Sequence, residues 1–131
     1  MKISLEDYKT ESFSLDVDGV NGVVVVASLA SREWVDGLSR YQSAIAYAKE
    51  NDIALTEEKE VDLGFDNLTR TETVKTEFHN KAWAKAMQSL VKEWPFEADL
   101  FDALMESPEL SGKIDLVASR LKAEFESLKK I

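Results

Sequence analysis

The hydrophobic pattern begins with a period of two and then changes to a helical period. Phe13, Leu15 and Val17 alternate with Ser14, Asp16 and Asp18, and Val23 to Val26 is a β-branched run, so a small hairpin is expected over 13–27. Asp18-Gly19 and Asn21-Gly22 supply turn residues that tolerate positive φ. Residues 1–12, polar with scattered Ile3, Leu5 and Tyr8, read as a loosely attached lead-in. From Ser31, a helix cap followed by Glu33 in the first turn, Trp34, Leu38, Tyr41, Ile45 and Ala48 recur at spacings of four and three, which predicts a helix over 31–51. Tyr47 points off that face.

The middle of the chain is patterned less clearly. Residues 52–68 are charged and contain Gly64-Phe65-Asp66-Asn67, the composition of a connector. Thr69-Arg70-Thr71-Glu72 fits a capping box, so a helix over 70–94 is expected. Trp83, Ala86, Met87, Leu90, Val91 and Trp94 form its buried stripe, with Lys81, Lys85 and Lys92 opposite. Pro95 ends it. Val74 and Phe78 fall on the lysine side of such a helix. They are therefore either a second buried face or, if the segment breaks at His79-Asn80 with Asn80 as a new cap, part of a separate element.

Two helices close the chain. Leu100, Phe101, Leu104 and Met105 mark a short one over 98–106. After Ser107-Pro108-Glu109, the stripe Leu110, Ile114, Val117, Leu121, Phe125 and Leu128 predicts a long amphipathic helix over 108–129. That stripe can be core, or it can be a seam for another helix. The expected fold is a single α+β domain over 1–131, predominantly α-helical: a small N-terminal β-hairpin followed by a helical bundle with a long C-terminal amphipathic helix.

Composition narrows the function. With 131 residues and no cysteine, the chain can enclose a core without disulfides and has no thiolate for metal or nucleophilic chemistry. No apolar run approaches the roughly 20 residues needed to cross a bilayer, and MKISLEDYKTES lacks the apolar centre of a secretory signal, so an intracellular, soluble protein without membrane contact is expected. A net charge of −9 argues against binding nucleic acid. The charge is uneven: Glu57, Glu58, Glu60 and Asp62 cluster in one stretch, whereas Lys75, Lys81, Lys85 and Lys92 fall in another, and complementary surfaces of this kind allow self-association, although contacts within one subunit explain them equally well.

The motifs that carry chemistry fail on inspection. Asp16 to Gly22 begins like a calcium loop, but Val20 would occupy the fifth ligand position, Asn21 the glycine position and Ala27 the final glutamate position. There is no phosphate-binding loop and no dinucleotide fingerprint. His79 is the only histidine, which rules out a multi-histidine metal site, and its neighbours Phe78 and Asn80 supply no nucleophile. The expectation is a non-enzyme with no catalytic residues, no cofactor and no metal.

Once these residues are laid out, the chain resembles the tail assembly chaperones of long-tailed, siphovirus-like bacteriophages. The resemblance lies in LVKEWPFEADL at Leu90 to Leu100, the short helix after it, the ESPEL break at Glu106 to Leu110 and the terminal amphipathic helix. Upstream it takes in the FSLDV and VVVVAS strands leading through Ser31 into a helix. It implies a viral, non-catalytic binding protein that engages the tape-measure protein, keeps that apolar helical client soluble and helps recruit the tail-tube protein. It further implies homo-oligomers, and a location in the cytoplasm of the infected or lysogenic bacterial host rather than in the mature virion. Frameshifting to a longer form is common in the family, and Lys129-Lys130 is compatible with a slippery run of codons. The candidate partner-binding residues are those left after one core is filled: Tyr47, Val74 and Phe78, with Leu121, Phe125 and Leu128 of the terminal stripe. The competing reading is an acidic inhibitor or nucleic-acid mimic that blocks a basic site on a host protein, which requires carboxylates spaced like phosphates.

Overall fold

The computed structural model describes residues 9–129. Residues 1–8, most of the expected lead-in, lie outside that range, as does the side chain of Leu128. In chain order the elements are β1 (Thr10–Val17), β2 (Val20–Ala27), α1 (Arg32–Glu50), β3 (Thr56–Asp62), β4 (Thr69–Lys75), α2 (Glu77–Gln88), β5 (Val91–Glu93), α3 (Leu100–Glu106) and α4 (Pro108–Lys129). This is a mixed fold with two separate antiparallel sheets, ordered β1-β2-β5 and β3-β4, and it corrects the expected helical bundle.

β1 and β2 form the N-terminal hairpin, with Phe13 opposite Val24 and Leu15 opposite Gly22. β1 starts at Thr10, so Thr10 to Ser12 belong to the sheet and not to a loose lead-in. Strand alternation puts Phe13, Leu15, Val24 and Val26 on one face. That face is covered by α4 and by the Trp94-Pro95-Phe96 corner. Gly22 makes the cover fit, since a Cβ there would come within 2.8 Å of the Phe96 ring and of Pro95. Trp94 packs edge-on to Phe96, with centroids 4.9 Å apart, and its indole N–H donates to the Ala98 carbonyl at 2.7 Å.

The expected helix over 70–94 is three elements. Residues 69–75 are strand β4, α2 runs only from Glu77 to Gln88, and Val91 to Glu93 form β5. The N-cap is Thr76, whose hydroxyl accepts weakly from the His79 amide at 3.4 Å, so neither the Thr69 box nor Asn80 starts the helix. The far end is set by the sheet. β2 has a second edge to satisfy, and it does so by pairing with β5 and by donating Ala27 N–H to the Leu90 carbonyl at 2.8 Å. The expected connector over 52–68 is corrected as well, because Thr56 to Asp62 is strand β3.

The core gathers Val24 and Val26 from the sheet, Ala84, Met87 and Leu90 from α2 and its end, Leu100 and Leu104 from α3, and Leu110, Ile114, Val117, Ala118 and Leu121 from α4. Helix α1 lies against α2 through aromatic edges: Trp34 and Tyr41 meet Trp83 with centroids 6.0 and 5.3 Å apart. Two ion pairs tie the layers at the surface, Lys92 of β5 to Glu33 of α1 and Arg120 of α4 to Glu11 of β1. No helix of the described residues is long and apolar enough to cross a membrane.

Candidate partner-binding surface

The β3–β4 hairpin packs mainly strand against strand and makes few contacts with the other elements. Its register pairs Glu57 with Val74, Lys59 with Glu72 and Val61 with Arg70 on one face, and Thr56 with Lys75, Glu58 with Thr73, Glu60 with Thr71 and Asp62 with Thr69 on the other. The Leu63 amide donates to the Leu68 carbonyl at 2.9 Å, which carries the same alternation one step further and puts Leu63 and Leu68 on the face of Val61 and Val74. One face of the hairpin is therefore mixed along its length, with Val74 and Val61 among Glu57, Lys59, Glu72 and Arg70, and becomes apolar at the tip with Leu63 and Leu68. The other is threonine and carboxylate, with Lys75 at its foot.

The tip is a preformed turn. Asp66 and Asn67 have φ of 53° and 52°, and the Leu68 amide donates to the Phe65 carbonyl at 3.1 Å, the geometry of a type I′ turn. Gly64, at φ 87°, donates to the Asp62 side chain at 2.7 Å. These bonds hold Leu63, Phe65 and Leu68 outward, at 44, 60 and 47% exposure. Three large apolar side chains on one loop are a patch, unlike an isolated exposed leucine. At its foot the hairpin is stitched to α2: the Thr76 hydroxyl donates to the Ala54 carbonyl at 2.8 Å and the Thr76 amide to Leu55 at 3.1 Å.

The residues expected to bind a partner are scattered. Tyr47 is 56% exposed near the end of α1, where its carbonyl accepts from the Asn51 amide and side chain at 3.0 and 2.9 Å. Val74 and Phe78 are half-buried, and because Val74 sits in a strand, its helical pairing with Phe78 does not exist. Leu121 is a core residue, 2% exposed, and offers no surface. Phe125 is half-buried beside the start of α1. Sequence reasoning missed Leu63, Phe65 and Leu68. Its one usable signal was Gly64-Phe65-Asp66-Asn67 flanked by two leucines, with Thr69, Thr71 and Thr73 alternating after it.

The ionisable groups work as ties between elements. The Lys92 ammonium donates to Glu33 at 2.7 Å and holds that carboxyl below its ordinary range, and the Glu11 carboxylate pushes the Arg120 guanidinium further up. His79 Nε2 shares a 2.7 Å hydrogen bond with the Tyr41 hydroxyl, while its Nδ1 is buried and unpartnered. The ring thus packs between α1 and α2, and its hydrogen bond goes to a phenol rather than a carboxylate. Among the described residues, no three His, Asp or Glu side chains come together in a way that could hold a metal ion.

Compared with known protein families, curated proteins and solved structures, the chain matches none of them.

Proposed function

We propose that this protein is a tail assembly chaperone of long-tailed bacteriophages. In this reading it binds the tape-measure protein, keeps it soluble in the cytoplasm of the infected or lysogenic bacterial host, helps recruit tail-tube subunits and leaves before the virion is complete. The observation that carries the reading is the exposed apolar tip of the β3–β4 hairpin, Leu63, Phe65 and Leu68. A two-stranded hairpin ordinarily needs packing against another element, and this one makes few contacts with the rest of the chain. An amphipathic client helix laid across Leu63, Phe65 and Leu68 would supply the cover, and covering the exposed part of each large tip side chain is worth roughly 1 kcal/mol. Glu58, Glu60 and Asp62, on the opposite face, would then face water and keep the complex dispersed. No nucleotide is required for such shielding.

The test is co-expression with the tape-measure protein. The triple variant Leu63→Ser, Phe65→Ser, Leu68→Ser should lose at least about tenfold of the soluble client, while its own thermal unfolding stays near that of the parent chain. Undiminished client solubility would contradict the reading.

One observation favours the inhibitor reading. Glu58, Glu60 and Asp62 alternate along one strand at about 6.8 Å, a spacing that a basic groove can follow. Binding to a basic host protein that collapses with added salt would support it, whereas the chaperone complex should be largely indifferent to salt.

A further inference from the structure

The only histidine of the chain fixes what its neighbour can do. His79 Nε2 shares a 2.7 Å hydrogen bond with the Tyr41 hydroxyl, and its Nδ1 is buried without a partner. A neutral imidazole carries one hydrogen, on one of its two nitrogens. On Nδ1 that hydrogen would be a buried donor with no acceptor, which folded proteins tolerate less readily than an unused lone pair. It therefore belongs on Nε2, from which it is donated to the Tyr41 oxygen. The phenol then keeps its own hydrogen, and no acceptor among the described residues takes it. Tyr41 and His79 line an open pocket of about 350 Å³ at the foot of the β3–β4 hairpin, with Ile45 and Lys49 of α1, Leu55 just before β3 and Lys75 at the end of β4. No carboxylate lines this pocket, in a chain whose net charge is −9. Neither Lys49 nor Lys75 has an ion-pair partner among the described residues.

We infer that this pocket binds a carboxylate carried on a short apolar stem, with the carboxylate taken by Lys49, Lys75 and the Tyr41 hydroxyl and the stem lying on Ile45 and Leu55. Two ammonium groups and a phenol bring donors that lack acceptors, and a carboxylate brings acceptors only. Ile45 and Leu55 decide between oxyanions, because they offer apolar surface to an aliphatic stem and nothing to inorganic phosphate. A small carboxylic acid and the glutamate side chain of another polypeptide share this chemistry. Once bound, the ligand joins the end of α1 to the foot of the hairpin, since Lys49 and Lys75 belong to different elements. The inference stands apart from the chaperone reading: shielding a client at the hairpin tip neither requires nor forbids an acid at its foot.

Nuclear magnetic resonance of the full chain tests it, because a single histidine gives a single set of ring signals. Long-range proton–nitrogen spectra should place the hydrogen of His79 on Nε2. Sodium butyrate should move the ring signals saturably, and butanol at the same concentrations should not. Shortening the acid to acetate should weaken binding by about two- to fourfold for each methylene lost, and inorganic phosphate should bind more weakly than butyrate. Lys75→Gln and Tyr41→Phe should each weaken butyrate by about three- to tenfold. Both should stay folded by circular dichroism, since Lys75 is exposed and Phe retains the ring edge against Trp83. A peptide with blocked ends and one glutamate separates the two sources of ligand: if it moves the same signals, the pocket takes a side chain of another polypeptide, and if only butyrate does, it takes a small acid. Either result supports the carboxylate site. A hydrogen on Nδ1, no saturable shift with butyrate, an unchanged affinity in both folded variants, or phosphate that binds as tightly as butyrate would overturn the proposal.

Discussion

The molecule contains two antiparallel hairpins of nearly equal length that meet opposite fates. The first, β1–β2, has its apolar face roofed by α4 and the Trp94–Phe96 corner and contributes Val24 and Val26 to the core. The second, β3–β4, carries its exposed apolar side chains at the tip, Leu63, Phe65 and Leu68, and makes few contacts with the rest of the chain. A strand pair that a protein covers is part of its stability. One that it orders with a bonded turn and then leaves uncovered is available to another molecule.

The contrast is most easily broken in the core. Ile114→Ala, at a side chain with no exposure beneath the first hairpin, should cost about 2–5 kcal/mol in chemical denaturation. A glycine in each hairpin gives a finer comparison. Gly22→Ala drives a methyl into the Phe96 ring and Pro95, a clash expected to cost about 1–3 kcal/mol and to be relieved in part by Phe96→Leu. Gly64→Ala meets no atom within 4 Å, so its cost of about 1 kcal/mol comes from the left-handed backbone, and no neighbouring substitution should relieve it. Phe65→Ser at the second tip should change stability by less than about 0.5 kcal/mol, because its contacts in the free chain are few.

The smallest effect concerns the surface ties. Glu33 is depressed by Lys92 in the folded chain, so the stability it adds is present above the unfolded-state pKa and is lost as pH falls through the lower folded-state value. Both partners are more than a third exposed, which limits the loss to below about 0.5 kcal/mol. Lys92→Gln should flatten that part of the acid limb of the stability profile.

The same contrast explains what could be read from the sequence. Periodicity records burial. Phe13, Leu15 and Val17, the stripe from Trp34 to Ala48, and the stripe from Leu110 to Leu121 all announce elements with a covered face, and strands or helices stand there. The second hairpin buries almost nothing, so β3 has only Val61 among its charges, and the alternation that marks a strand is carried by threonines instead. Thr69 to Glu72, which has the letters of a helix cap, was therefore misleading. The end of α2 was hidden for another reason. Leu90 and Val91 continue the helical stripe, and only the demand of β2 for a partner on its free edge turns Val91 to Glu93 into a strand. The tip residues Leu63, Phe65 and Leu68 sat in a segment read as a connector, and a site made of uncovered side chains leaves no periodic trace.

Hydrogen–deuterium exchange, run on the chain alone and with the tape-measure protein bound, tests the central claim most directly. The account predicts that amides from Val61 to Arg70 exchange readily in the free chain and become protected on binding, while those of the core around Met87 and Ile114 stay as they were. Protection confined to the core helices, with the hairpin unchanged, would contradict it.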